Sequence, residues 1–169
     1  MHAGLAPLVW TPRDRRLFRG FMGLTGLGLI VPALIYLFSW PDTVKATTLA
    51  VGPVAAPFVT GGTVVALLAG GISFILGRLV RTGSVLAAAA LVCGSIVHYE
   101  WSTMMLDRMD LVPEGIPEQQ QHLLQDAILF AANAQNPHIV KNLILIGVCV
   151  LFFFLAPRVC GAKTARTES

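Results

Sequence analysis

The sequence predicts an all-α integral membrane protein in which four helices cross a lipid bilayer as one bundle. Of its 169 residues, 55% are hydrophobic and only 12% are charged, and the mean hydropathy is +0.72. A chain with so little polar surface cannot coat a water-soluble globule. Four apolar stretches, each near the ~20 residues that span a bilayer, together with their connections nearly exhaust the chain. We therefore expect a single membrane domain over residues 1–169, with lipid as its solvent.

The first span is predicted at residues 20–40, after a charged tail at residues 1–19. No small-residue cleavage site follows this span, so we expect it to stay as an anchor rather than to be removed as a signal peptide. Pro32 lies inside the span and lacks a backbone donor, which predicts a kink. Aromatic residues at the far end are typical of a membrane interface: Tyr36, Phe38 and Trp40.

Residues 41–57 are too short and too interrupted by proline to span, so we expect a short interfacial segment there. The second span is predicted at residues 58–77. Small residues recur along it at every fourth position, which places them on one face and favours close helix packing. These residues are Gly62, Ala66 and Gly70.

The third span is predicted at residues 83–101, after a tight turn that holds Arg78 and Arg81. The loop at residues 102–138 is the longest polar connection. Its segment from Glu118 to Asn133 has apolar residues at helical spacing, which predicts an amphipathic helix lying on the bilayer. The fourth span is predicted at residues 139–156, followed by a polar tail at residues 157–169.

The basic residues lie unevenly on the two sides of this topology. Three fall beside the loops at residues 41–57 and 102–138: Lys45, Arg108 and Lys141. The other nine fall beside the tails and the Arg78 turn: Arg13, Arg15, Arg16, Arg19, Arg78, Arg81, Arg158, Lys163 and Arg166. Basic residues favour the cytoplasmic side, so we expect a bacterial inner-membrane protein with cytoplasmic termini and a periplasmic loop. This distribution explains the positive charge without a nucleic-acid partner.

Thiol and haem chemistry find little support in the sequence. Cys93, Cys149 and Cys160 are isolated, whereas thiol exchange needs closely spaced cysteines, so packing is their expected role. Of the four histidines, only His98 and His138 could meet, at the outer rim of the bundle, as a haem or metal pair. A metal site that adds Glu100 has no diagnostic spacing. We predict no intrinsic cofactor and no metal, and assign no catalytic residue.

A polar cluster is predicted at the outer ends of the third and fourth spans. His98, Tyr99 and Glu100 end one span, and Lys141 and Asn142 begin the other. Ionisable residues at such depth are candidates for function. Two interpretations of Lys141 stay open, a ligand-binding role and a structural ion pair with Glu100 or Asp126.

The stretch from Gly61 to His98, GGTVVALLAGGISFILGRLVRTGSVLAAAALVCGSIVH, resembles the second and third spans of the DoxX family of bacterial four-helix membrane proteins. The matching elements are Gly70, Gly71, Gly77, Arg81, His98, Lys141 and Asn142. The resemblance implies a membrane subunit of a redox or respiratory complex that binds quinone near His98, Lys141 and Asn142 and depends on a protein partner. The chain departs from the family by lacking an acidic residue near Thr63.

Two other functions fit the same sequence. A non-catalytic structural or assembly subunit would use its small-residue faces and amphipathic loop to pack against a larger complex. A solute carrier or channel is disfavoured, because the span interiors lack the paired charges and broken helix pairs of transport pathways.

Overall fold

The computed structural model describes residues 10–113, 115 and 117–160. These residues are mostly helical, and none of them forms a strand. The main helices are α1 (Pro12–Phe38), α2 (Trp40–Val51), α3 (Ala56–Leu76), α4 (Val80–Asp107), α5 (Glu118–Asn133) and α6 (Asn136–Cys160). A short 3-10 turn, Arg108–Leu111, follows α4. Four helical stretches are long and apolar enough to cross a membrane, and α6 contributes the apolar part of the fourth. The predicted all-α, four-span fold is confirmed.

Helix α1 begins before the predicted span because its polar residues form a strong helix start. The Thr11 side chain accepts a hydrogen bond from the Asp14 backbone, and the Asp14 carboxylate accepts one from the Thr11 backbone, so two otherwise unpaired donors are satisfied. Pro12 occupies the first turn, where proline is tolerated. The helix runs through Pro32 without interruption and ends at Phe38, so Trp40 belongs to the next helix.

The proline-containing segment after α1 forms a 12-residue helix, α2. Its prolines do not break it, because Pro41 lies in the first turn and Pro53 lies beyond its end at Gly52. Helix α2 is too short to span a bilayer. It packs against α3 and α4.

The long helices form a bundle in which α3 lies between α1 and α4, and α4 lies between α3 and α6. We call the end where α1 and α4 begin and where α3 and α6 end the terminal end, and the opposite end the loop end. At the terminal end, the buried Phe152 ring of α6 meets three other rings edge to face, at centroid distances of 4.9 to 5.6 Å. These are Phe18, Phe21 and Phe74, so aromatic packing joins α6 to α1 and α3.

Adjacent glycines on α3 let it approach two helices at once. A Cβ placed on Gly71 would lie 2.6 Å from the Gly26 carbonyl oxygen of α1, and one on Gly70 would lie 2.8 Å from the Ala87 Cβ of α4. Of the predicted packing face, Gly70 makes a close helix contact and Ala66 is half-buried against the core. Gly62 is exposed, and a Cβ there would meet nothing within 4 Å.

The amphipathic helix expected between the third and fourth spans forms as α5. It packs against α4, where the Ser102 hydroxyl donates to the Ala132 carbonyl oxygen at 3.1 Å. Its opposite face exposes Leu123 and Phe130. A two-residue turn separates α5 from α6, which begins at Asn136.

Large apolar side chains cover the outside of all four long helices. Examples are Leu24, Val31, Val65, Ile72, Ile96, Ile144 and Leu151. Water would disfavour such a surface, whereas lipid chains match it. The chain is therefore a multi-pass membrane protein whose apolar helices contact the bilayer.

Candidate functional site

A cavity of about 280 Å³ lies at the loop end, enclosed by α1, α2, α3 and α4. Its wall includes the small or apolar residues Ala46, Val59 and Val97. Because Asp42 and Cys93 are exposed wall residues, the cavity opens to the outside of the bundle. Its volume is near the lower end of the ~300 Å³ and above that is typical of small-molecule pockets.

Four threonines supply much of the polar wall: Thr43, Thr47, Thr60 and Thr63. On α2, the Thr43 hydroxyl donates to the Ser39 carbonyl oxygen at 3.0 Å, and the Thr47 hydroxyl donates to the Thr43 carbonyl oxygen at 2.9 Å. Such bonds one turn back are the usual way for a helical threonine to satisfy its hydroxyl away from water. The buried Thr60 hydroxyl of α3 donates to Thr47 Oγ1 at 3.0 Å, which fixes α2 against α3.

His98 enters the same cavity from α4. Its ring stacks on that of His138, with centroids 4.8 Å apart and planes inclined by 13°, and its Nδ1 lies 2.8 Å from Gln135 Oε1. His98 and His138 are the one pair of histidines whose meeting the sequence left open, and their rings are in contact. Rings stacked this closely leave no space between them for a haem. Within the described ranges, no group of three His, Cys, Asp or Glu residues could hold a metal ion.

A narrow cleft of about 20 Å³ adjoins the cavity and shares Tyr36, Thr63 and Gly94 with it. Lys141 and Asn142 of α6 line this cleft rather than the cavity. The Asn142 side chain is 4% exposed, and its amide nitrogen donates to the Leu91 carbonyl oxygen at 3.5 Å. Asn142 therefore joins α6 to α4 beside the cavity.

Lys141 is exposed, and the structural ion pair considered for it is not formed. In the part of the chain that the structure describes, the only contact within 4 Å between a basic and an acidic side chain is that of His122 with Glu118, at 3.7 Å. Tyr99 and Glu100 are also exposed and lie outside both the cavity and the cleft. Consecutive helical residues point in directions about 100° apart, so only His98 of the three can face inward.

The residues that sequence reasoning missed are Tyr36 and the threonines. Tyr36 was assigned to the interface by its aromatic ring, yet it lines both the cavity and the cleft. The spacing of Thr43 and Thr47 carried a usable signal, because it places two hydroxyls on one face of a short helix.

The site can hold a small amphiphilic molecule. The hydroxyl and imidazole groups near the loop end suit a polar headgroup, and the apolar wall with its opening suits a lipid-soluble tail.

In comparisons with known proteins, no family model, curated protein or solved structure matches this chain. The resemblance to the DoxX family therefore stays a prediction that rests on the short motifs of the second to fourth spans.

Proposed function

We propose that the protein is a membrane subunit of a redox or respiratory complex in the bacterial inner membrane, and that its loop-end cavity binds the headgroup of a quinone-pool molecule. The observation that carries the proposal is the cavity itself, an apolar space of about 280 Å³ with hydroxyl and imidazole groups in its wall. A quinone-type ligand needs this combination, because its ring is apolar and its two oxygens are polar.

The position of the cavity along the helices supports a ligand dissolved in lipid. His98 lies near the polar end of α4, whereas the exposed wall residue Cys93 lies about 7.5 Å further into the apolar part, at ~1.5 Å rise per residue. An opening at Cys93 would let a ligand enter sideways from the bilayer. Asp42, at the start of α2, would then mark the aqueous side.

The subunit role rests on the side chains of the proposed site, which bind a ligand but by themselves supply no electrons. Binding alone moves no electrons, so a protein partner would have to supply or accept them. The resemblance to the DoxX family, which includes the DoxD-like thiosulfate:quinone oxidoreductase subunits, favours the same assignment. The distribution of basic residues favours cytoplasmic termini and a periplasmic loop end, and it gives no reason to invoke nucleic acid.

Filling the cavity tests the proposal. Ala46 is half-buried in the wall on α2, whereas Leu49 is exposed on the same helix and lies outside the wall. Ala46→Phe should block the ligand sterically, and Leu49→Phe should leave it in place. Both variants would be purified in mild detergent with native lipid, and the quinone that co-purifies would be measured by chromatography and mass spectrometry.

We expect at least a tenfold loss of bound quinone in Ala46→Phe and wild-type amounts in Leu49→Phe. Equal quinone in wild type, both variants and an empty-membrane control would overturn the proposal. If wild type holds no quinone but co-purifies with a large membrane complex, the structural or assembly role becomes the better assignment.

A further inference from the structure

The hydrogen bonds of the cavity wall leave it rich in acceptors. Each threonine hydroxyl has one hydrogen to donate, and three of the four wall threonines already donate it within the protein. Thr43 and Thr47 donate to backbone carbonyls, and Thr60 donates to Thr47. Thr47 Oγ1 also accepts from Thr60, and Thr43 Oγ1 also lies 3.2 Å from Ser39 Oγ. The capacity that the three hydroxyls keep toward a ligand is therefore to accept, through their remaining lone pairs.

His98 adds another acceptor. A glutamine side-chain oxygen can only accept, so the 2.8 Å contact with Gln135 Oε1 places a hydrogen on His98 Nδ1. In the neutral ring, Nε2 is then the unprotonated nitrogen and accepts a hydrogen bond. The Asp42 carboxylate, at the mouth of the cavity, is also an acceptor when ionised.

Few donors face these acceptors. Among the described wall residues, Tyr36 and Thr63 are the hydroxyl-bearing side chains whose hydroxyls make no hydrogen bond within the protein. A quinone offers two carbonyl oxygens and no donor, so it can bind these two hydroxyls but leaves the acceptors unpaired. A quinol offers two O–H groups, whose oxygens can also accept, so it can satisfy both kinds of wall group.

From this donor and acceptor pattern, and resting on the proposed function, we infer that the cavity selects the reduced, hydroxyl-bearing quinol over the quinone. An acceptor that a bound ligand covers without offering a donor loses its hydrogen bond to solvent without replacement. One such loss changes affinity by about tenfold.

The test compares ligands that share one tail and differ in hydroxyl hydrogens. The full-length protein would be placed in phosphatidylcholine nanodiscs free of quinone and dialysed without oxygen against decylubiquinol, decylubiquinone or the dimethyl ether of decylubiquinol. Ligand retained over empty nanodiscs would be measured by chromatography. We expect the quinol to bind about tenfold more tightly than the quinone, and the ether to bind no better than the quinone.

Two matched variants separate accepting from donating wall groups. Thr43→Val removes an acceptor, so it should weaken quinol binding about tenfold and leave quinone binding within threefold, which also shows that the variant is folded. Thr63→Val makes the same substitution at a residue that can donate, so it should weaken quinone binding at least as much as quinol binding.

The outcomes distinguish this inference from the function on which it rests. The preference for quinol is overturned if the quinone binds as tightly as the quinol or more tightly, or if the ether binds as tightly as the quinol. Either result leaves the proposed ligand-binding function in place. Retention of none of the three ligands over empty nanodiscs overturns both.

Discussion

At Gly26 and Gly71, helices α1 and α3 touch backbone to backbone. A Cβ on Gly26 would lie 2.5 Å from the Gly71 carbonyl oxygen, whereas a Cβ on Gly23 of the same helix would meet nothing within 4 Å. Membrane helices lack a hydrophobic driving force for association, so the van der Waals contact allowed by such close approach carries much of their packing. The effect of substituting each glycine on stability should therefore depend on the atoms that face it from the neighbouring helix, and not only on the small size of glycine.

The first prediction compares the same substitution at these two positions. Gly26→Ala should destabilise the protein by about 1–3 kcal/mol. The new methyl group would collide with the backbone carbonyl of Gly71, which can move only together with its helix. Gly23→Ala should be neutral or stabilising by up to about 1 kcal/mol, since alanine favours the helix. Unfolding by SDS in mixed micelles would measure both, and equal stability of the two variants would show that this contact is not tight.

The sequence could locate the cluster at the residue scale but not its arrangement. The sequence left a meeting of His98 with His138 open, because both lie at the same rim, and their rings stack. Lys141 was expected beside them as a ligand group or ion pair, and it instead lines the neighbouring cleft. Whether a side chain on α6 faces one space or the next depends on how the helices rotate against each other, which hydropathy does not encode.

Among whole elements, α6 depends on Phe152 for its contact with α1. The Phe152 ring is fully buried and meets rings from α1 and α3, whereas Phe154 is 60% exposed on the same helix. Direct packing between α1 and α6 is otherwise sparse. The terminal end of the bundle is therefore expected to loosen when this one ring is removed.

The second prediction removes each ring in turn. Phe152→Ala should lower the free energy of unfolding by about 2–3 kcal/mol. This loss is at or below the lower end of what the same substitution costs in the core of a water-soluble protein. The loss is smaller here because the separated helices are surrounded by lipid rather than by water. Phe154→Ala should change it by less than about 1 kcal/mol. Thermal aggregation in detergent would rank the variants, and a Phe154→Ala loss as large as that of Phe152→Ala would contradict the assigned packing.

The spans could be predicted within a few residues, but the helices run beyond them. Residues 83–101 were expected as the third span, and α4 covers Val80–Asp107. Hydropathy detects only the part of a helix that lies in hydrocarbon, whereas hydrogen bonding continues into the polar region. The helical structure of α2 was not predicted, because its prolines suggested interruption, yet Pro41 lies where a helix accepts proline.

For the molecule as a whole, the unequal distribution of basic residues should set its orientation. Nine of the twelve lie beside the tails and the Arg78 turn, and basic residues stay on the cytoplasmic side during insertion. The α5 face that carries Glu118 would then lie outside the cytoplasm.

The third prediction tests orientation in intact bacterial cells with a membrane-impermeant maleimide. Glu118→Cys should be labelled in whole cells, whereas Arg13→Cys should be labelled only after lysis. The wild-type protein controls for its own cysteines. The reverse pattern would mean that the termini are outside.

Helix α2 supplies a third of the cavity-lining residues, including Thr43, Ala46 and Thr47, although it does not cross the membrane. Membrane insertion and topology are decided by the spans and their flanking charges, so uncharged substitutions in α2 should change neither of them. The lining of the cavity can therefore change through substitutions in α2, while the number and direction of the spans stay fixed. This part of the cavity wall is separate from the segments that decide membrane insertion, whereas the rest of the wall lies on the spans themselves.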